Sequence, residues 1–328
     1  MQYRAFGNTG VEVSVLGYGC GAVGGLMVRG EHPDMLRTVE YALESGINYF
    51  DTARMYGDGL SEIHTGAVLR ELGAHDALVG TKVRLSAAEF GNIEEVIEAQ
   101  IDNSLQRMGR DNVDIVYTHN SIGAASNPDG GQLGLDDLER IVGVFNRAVE
   151  SGKIRFWGFN GLGDTETLHS AIDRFGPSGM HTCYNMLNPS SSHEMSAGFP
   201  YQDYGQLMQK TAEKGIGSVA IRILAGGALT GDSVRHPLAA QDVAPIATGQ
   251  TLSEDLARTS QFSFLVEDGY TENLAEAAIR FAISAENLST ALVGLSSFDQ
   301  LEQAVAATNK GPLPSDALEK LEGIWAAS

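Results

Sequence analysis

Short β-branched or apolar runs alternate with longer segments whose apolar residues recur every three or four positions. The short runs fall at 13–16, 49–51, 78–81, 113–118, 156–159, 180–184, 217–221 and 290–293, and they predict strands. Between 92 and 108, Ile93, Val96, Ile97, Ile101, Leu105 and Met108 share one face of a helix. Segments 136–151 and 165–175 follow the same spacing, and Gly152 supplies a stop for the first of them. Strands that alternate with helices build parallel sheets, and eight of them close into a barrel. The expected fold is therefore α/β, a (β/α)8 TIM barrel. A doubly wound sheet would show a Gly-x-Gly-x-x-Gly turn after its first strand. Residues 17–25 hold only a loose Gly-x-Gly-x-x-x-Gly, with no clear acid closing a second strand about 20 residues on.

Two stretches depart from the repeat. Residues 3–14 read as an N-terminal β-hairpin turning at Gly7-Asn8-Thr9-Gly10. Residues 226–270 form a long insertion after the seventh strand, rich in Gly, Pro, Asp and Thr, with a helix expected near 255–267. No internal repeat, low-complexity tract or linker interrupts the pattern, so residues 1–328 are expected to form a single domain.

Composition narrows the function classes. A net charge of −20 disfavours nucleic acid and anionic membrane surfaces as partners. No run approaches the roughly 18 apolar residues of a membrane span. The start, Met1-Gln2-Tyr3-Arg4, lacks a secretory pattern, so a cytoplasmic location is expected. Cys20 and Cys183 read as buried free thiols. The histidines are scattered, with no His-x-His or His-Glu-x-x-His spacing, so no metal ligands are assigned.

In such barrels chemistry sits at the C-terminal ends of the strands. The second strand ends in Asp51, with Tyr56 five residues on; the third runs into Lys82 and the fourth into His119. Singly, each has an ordinary structural reading: a cap, a packed ring, a solvated lysine, a core histidine. Together on three successive strand ends they make a proton-transfer site. A free phenol titrates near pH 10, and a lysine cation beside it favours the phenolate. An aspartate would hold that ammonium, and a histidine would hydrogen-bond a substrate oxygen as charge develops.

Asp51, Tyr56, Lys82 and His119 resemble the catalytic tetrad of the aldo-keto reductases. Phe50-Asp51-Thr52-Ala53-x-x-Tyr56-Gly57-x-Gly59-x-Ser61-Glu62 is similar to their second-strand signature, and residues 3–19 resemble their hairpin and first strand. Residues 226–231 resemble the family loop that closes over the cofactor pyrophosphate. The resemblance runs from residue 3 to about 309, and its general look is that of the bacterial sugar or aldose dehydrogenase branch.

It implies an NAD(P)-dependent oxidoreductase that moves hydride between nicotinamide C4 and a small carbonyl or alcohol substrate, with Tyr56 as general acid–base. It also implies cofactor contacts from Asn160 and Tyr184, from Arg222, Leu224 and Gly226 after the seventh strand, and from Gly294, Ser296, Ser297 and Gln300 after the eighth. Three positions depart from the family: Gly158-Phe159-Asn160-Gly161 replaces a Ser-Asn pair, His181 replaces a glutamine, and Gly21 stands where many relatives carry a bulky Trp. Residues 294–302 hold no cation and two acids, which favours NAD(H), or dual use, over strict NADP(H). The competing reading on the same fold is a non-catalytic, cofactor-sensing regulatory subunit, as in potassium-channel beta subunits.

Overall fold

A computed structural model describes residues 1–326. Eight parallel strands close into a barrel in chain order: Leu16–Gly19, Tyr49–Asp51, Leu78–Val83, Val113–Thr118, Ile154–Gly161, Gly179–Cys183, Gly217–Ile221 and Thr290–Gly294. The eighth strand pairs back onto the first, Ala291 opposite Leu16. Helices lie between the strands, as the (β/α)8 expectation requires. Helix Thr165–Phe175 has the predicted bounds, Ile93–Met108 starts one residue later than expected, and Leu135–Glu150 is shifted by one residue at both ends.

The first barrel strand is displaced from its expected place at 13–16. Glu12–Ser14 instead pairs antiparallel with Tyr3–Ala5 as the hairpin's second strand, and the barrel strand starts at Leu16. One apolar run therefore holds two elements separated by Val15 alone. The hairpin turn lies where expected, closed by the Phe6 N–H donating to Val11 O at 2.8 Å. A two-residue pair, Ser121–Ile122 with Gln132–Leu133, was not foreseen.

Two packed layers follow from the strand alternation. Outward residues such as Tyr18, Phe50, Val79 and Val116 join the helices in the main core. Inward residues Tyr49, Ile115, Tyr117, Val219 and Leu292 fill the barrel, with the hairpin's Phe6 and Val13 packed into the same cluster. A filled interior leaves the strands' C-terminal rim as the place where polar groups meet. The insertion carries a 3-10 turn at Ala225–Thr230 and helices at Leu252–Thr259 and Phe264–Glu267. Cys20 and Cys183 are buried and unpaired, and burial pushes both thiols up to about 12.

Candidate active site

Inward alternation on the second and third strands carries Tyr49 and then Asp51, and Gly80 and then Lys82, up to the rim. Both charged groups are buried. The Lys82 ammonium donates to Asp51 Oδ1 and to Thr52 O, the latter at 2.7 Å. Burial alone would oppose ionisation of Asp51, but Lys82 and His181 outweigh it and hold the carboxyl at about 2. Burial also opposes the Lys82 charge, and Asp51 with Tyr56 reverses the balance, raising its pKa. The pair is thus ionised across the neutral range.

Tyr56 comes from the turn after the second strand. Its N–H donates to Ala53 O at 3.0 Å, and its carbonyl accepts from Ser61 N–H at 3.2 Å. Ser61 and Glu62 are fully buried beneath this turn. The Ser61 hydroxyl bonds Thr52 Oγ1 and Cys20 O, while Glu62 accepts from Thr81 Oγ1 at 2.6 Å and Arg107 Nε at 2.5 Å. These two signature residues support the turn that presents the tyrosine. Lys82 Nζ lies 4.9 Å from the Tyr56 ring centroid, and the His119 ring meets Tyr56 edge-on at 5.6 Å.

The expected net lowering of the tyrosine pKa is not found. Burial raises it and exceeds the downward pull of Lys82, leaving a neutral phenol in the protein alone. Tyr56 is nonetheless half-buried rather than sealed, so solvent moderates that rise. His119 is driven down to about 3, by burial first and then by the charge of Lys82. It is neutral, and its Nδ1 is buried without a hydrogen-bond partner.

His181, marked in the sequence only as a replacement for a family glutamine, belongs to the same cluster. It points inward from the sixth strand, stacks on Tyr117 at 4.1 Å and brings Nε2 to 3.1 Å from Asp51 Oδ2. The contact is close but not in line, and both atoms lack a well-formed hydrogen bond. Burial lowers the His181 pKa despite Asp51, so a neutral imidazole faces the carboxylate.

The residues expected to contact a cofactor divide. Asn160 is buried at the rim, its Nδ2 donating to His119 O at 3.2 Å and Asn120 O at 3.4 Å. Tyr184 must be corrected: it is fully buried, with its ring 4.9 Å from Phe281 and parallel to His193. Strand alternation explains the error, because His181 faces inward and a residue three positions on faces the helices. A ring so placed cannot line the barrel mouth.

After the seventh strand, Arg222 and Ala225 hold φ of 59° and 47°, and Gly226 and Gly227 hold 69° and 109°. Positive φ at Arg222 and Ala225 is backbone strain of the kind found at ligand clamps, whereas the two glycines adopt it freely. A Cβ on Gly226 would sit 3.0 Å from Arg222 Nη1, and one on Gly227 2.9 Å from Arg235 Nη1. Two guanidinium groups therefore flank the bare glycine backbone. Leu224 is half-buried beneath, its carbonyl accepting from Gly227 N–H at 2.8 Å.

After the eighth strand the polar groups are largely committed to the loop itself. Ser296 Oγ donates to Gly24 O at 2.6 Å, Ser296 N–H donates to Gln300 Oε1 at 2.7 Å, and Ser297 caps helix Phe298–Asn309. Gly294 is exposed at the strand end. A cation does reach this loop, from outside it: the Arg37 guanidinium lies 3.6 Å over the Phe298 ring. The absence of a cation within 294–302 was legible, whereas this neighbour from helix His32–Glu44 was not.

Comparison with known proteins agrees with this architecture. The chain is 28% identical over 322 residues to L-galactose dehydrogenase of Arabidopsis thaliana, covering 94% of this chain and 89% of that protein. It is 24% identical over 342 residues to a probable voltage-gated potassium channel subunit beta of Oryza sativa subsp. japonica, covering 99% and 96%. Among solved structures, aldo-keto reductase AKR11C1 from Bacillus halodurans in its holo form superposes with a TM-score of 0.71 at 21% identity, over 100% of this chain and 97% of that one. The family model for the aldo/keto reductase family matches residues 15–326, and the chain accordingly belongs to that family of barrel oxidoreductases, whose members in general use NAD(P)H.

Proposed function

We propose that this oxidoreductase interconverts a small carbonyl compound and its alcohol, with Tyr56 as the proton donor in reduction and acceptor in oxidation. One observation carries the reading: a buried, ionised Lys82–Asp51 pair beside a half-buried phenol and a neutral histidine, all on one rim of the barrel. His119, kept neutral by burial and by Lys82, has a proton to share with a substrate oxygen without adding a full charge. Lys82 favours the phenolate when Tyr56 gives its proton up, and Asp51 keeps the ammonium charged.

The residues present fit a nicotinamide dinucleotide. Arg222 and Arg235 beside Gly226 and Gly227 would hold its pyrophosphate, Leu224 would line that turn, and Asn160 would meet its carboxamide. Gly294, Ser296, Ser297 and Gln300 would form the wall near its adenosine ribose, with the N-terminus of helix Phe298–Asn309 facing the same region. When bound, the nicotinamide supplies or accepts the hydride. The acids Asp299 and Glu302 favour NAD(H), and Arg37 over Phe298 makes dual use with NADP(H) accessible.

Tyr56→Phe tests the assignment. Turnover of an aldehyde panel with NADH or NADPH is expected to fall by about 10²–10⁴-fold, while cofactor affinity changes by about twofold or less. Retention of most of the wild-type kcat would remove Tyr56 from the role. The similarity to a channel beta subunit over nearly its full length supports a second reading, a cofactor-responsive regulatory subunit. Under that reading cofactor binds and no aldehyde or alcohol is turned over.

A further inference from the structure

The acidity of the chain makes its unpaired cations conspicuous. Forty-two carboxylates face 22 lysines and arginines. All six lysines form ion pairs with carboxylates. Ten of the 16 arginines form none among the described residues, and of these Arg54 and Arg84 flank the catalytic strand ends. Arg54 lies two positions before Tyr56, and Arg84 two after Lys82.

The backbone under these side chains is firmly held. Gln100 clasps Arg84, with Oε1 accepting from its N–H at 2.9 Å and Nε2 donating to its carbonyl at 2.8 Å. Asn120, next to His119, clips Leu85 to the 131 turn by donating to Leu85 O and Gly131 O, both at 2.9 Å. The Arg84 guanidinium rests against that turn: a Cβ on Gly131 would lie 3.7 Å from its Nη2 and 3.8 Å from Asn120 Nδ2. Arg54 Nη1 donates to the Arg84 carbonyl at 3.3 Å, which brings the Arg54 guanidinium onto the Arg84 backbone. Glu89, whose carboxylate feels the Arg54 charge, accepts hydrogen bonds from the Ser86 N–H and hydroxyl at 2.7 Å each. Arg84 is also close enough for its charge to help hold His119 neutral. This wall is distinct from the Arg222–Arg235 pair beside the glycine turn, so the mouth carries two separate cationic walls.

We infer that Arg54 and Arg84 form an anion subsite beside His119, selecting carbonyl substrates that carry a carboxylate or phosphate at the end remote from the reacting carbon. Two guanidinium groups can bind such an end through charged, paired hydrogen bonds. A Cβ on Gly21 would touch the Tyr56 ring at 3.7 Å and, beyond its chain neighbours, meet no other group within 4 Å, so the space beside that ring is otherwise open.

The inference rests on the oxidoreductase reading, and matched substrates separate the two. Succinic semialdehyde against butanal tests a carboxylate, and glyceraldehyde 3-phosphate against glyceraldehyde tests a phosphate. In at least one pair the anion is expected to have the higher kcat/KM by about 10–100-fold, the pair that responds naming the group. Arg84→Met and Arg54→Met should each reduce that ratio mainly through KM, and Arg84→Lys should restore part of it. Neutral members turned over as well as the anions in both pairs would overturn the subsite and leave the oxidoreductase reading standing. If no substrate is turned over by the wild type, that reading fails, and titration with succinate and with inorganic phosphate decides the subsite. Binding of either, weakened tenfold or more by Arg84→Met, upholds it, and equal affinity or no binding overturns it.

Discussion

Lys82 holds a full charge inside the barrel because Asp51 accepts its proton-bearing face and the Thr52 carbonyl takes a second hydrogen. Removing the ammonium has two separable effects. Lys82→Met leaves the Asp51 carboxylate with only the off-line His181, and breaking a buried pair in this way costs about 3–5 kcal/mol. It also removes the ammonium whose charge lowers the Tyr56 pKa against burial. Oxidation needs the phenolate, so its working limb should move to higher pH in Lys82→Met. The double variant with Asp51→Asn should recover stability without recovering the pH profile. An unchanged profile, measured where the chemical step limits, would remove lysine from the tuning role. The rim positions of Asp51, Tyr56, Lys82 and His119 were legible because strand ends can be located from pattern alone. His181 was not, since a lone histidine in an apolar run carries no mark of the carboxylate it meets across the barrel.

At the scale of elements, the barrel strands were readable because both of their faces are buried, which leaves compact apolar runs between helical patterns. Alternation within a strand is more demanding, and Tyr184, expected at the cofactor from the family resemblance, falls on its outward side. Contacts between elements distant in sequence are harder still. Arg37 illustrates this, as it sits on helix His32–Glu44 yet covers Phe298 at the start of the helix after the eighth strand. Its guanidinium carries no ion pair to a carboxylate among the described residues, and on the proposed cofactor placement it faces the 2′-phosphate of NADP(H). Arg37→Gln is therefore expected to weaken NADPH binding by about tenfold and NADH binding much less. Fluorescence titration of both cofactors checks this. The converse change, Gln300→Arg, has a penalty that sequence alone concealed, because Gln300 Oε1 holds the Ser296 N–H. Equal effects of Arg37→Gln on both cofactors would place the phosphate elsewhere.

For the whole molecule, the ionisable cluster in the barrel makes stability depend on pH in a predictable window. His119 titrates at about 3 in the folded protein, and His181 is also lowered, both chiefly by burial. In the unfolded chain each would bind a proton near pH 6.5. Below that value the unfolded state takes up protons that the native state refuses, so stability is full above about pH 6.5 and falls as the pH drops toward the folded values. The slope is bounded at about 1.4 kcal/mol per pH unit for each histidine, and it is smaller for His119, which retains some solvent contact. Asp51 joins only later, because its carboxyl is lowered to about 2 and its contribution is lost below the ordinary aspartate range. Equilibrium urea unfolding between about pH 5 and 7 thus isolates the histidines from the acids. The wild type should lose stability steadily across that interval, and His119→Asn should lose less. A flat wild-type profile, or a variant with the same slope, would mean that the barrel admits a proton onto these imidazoles without opening. In that event His119 would be available in its charged form to the substrate oxygen.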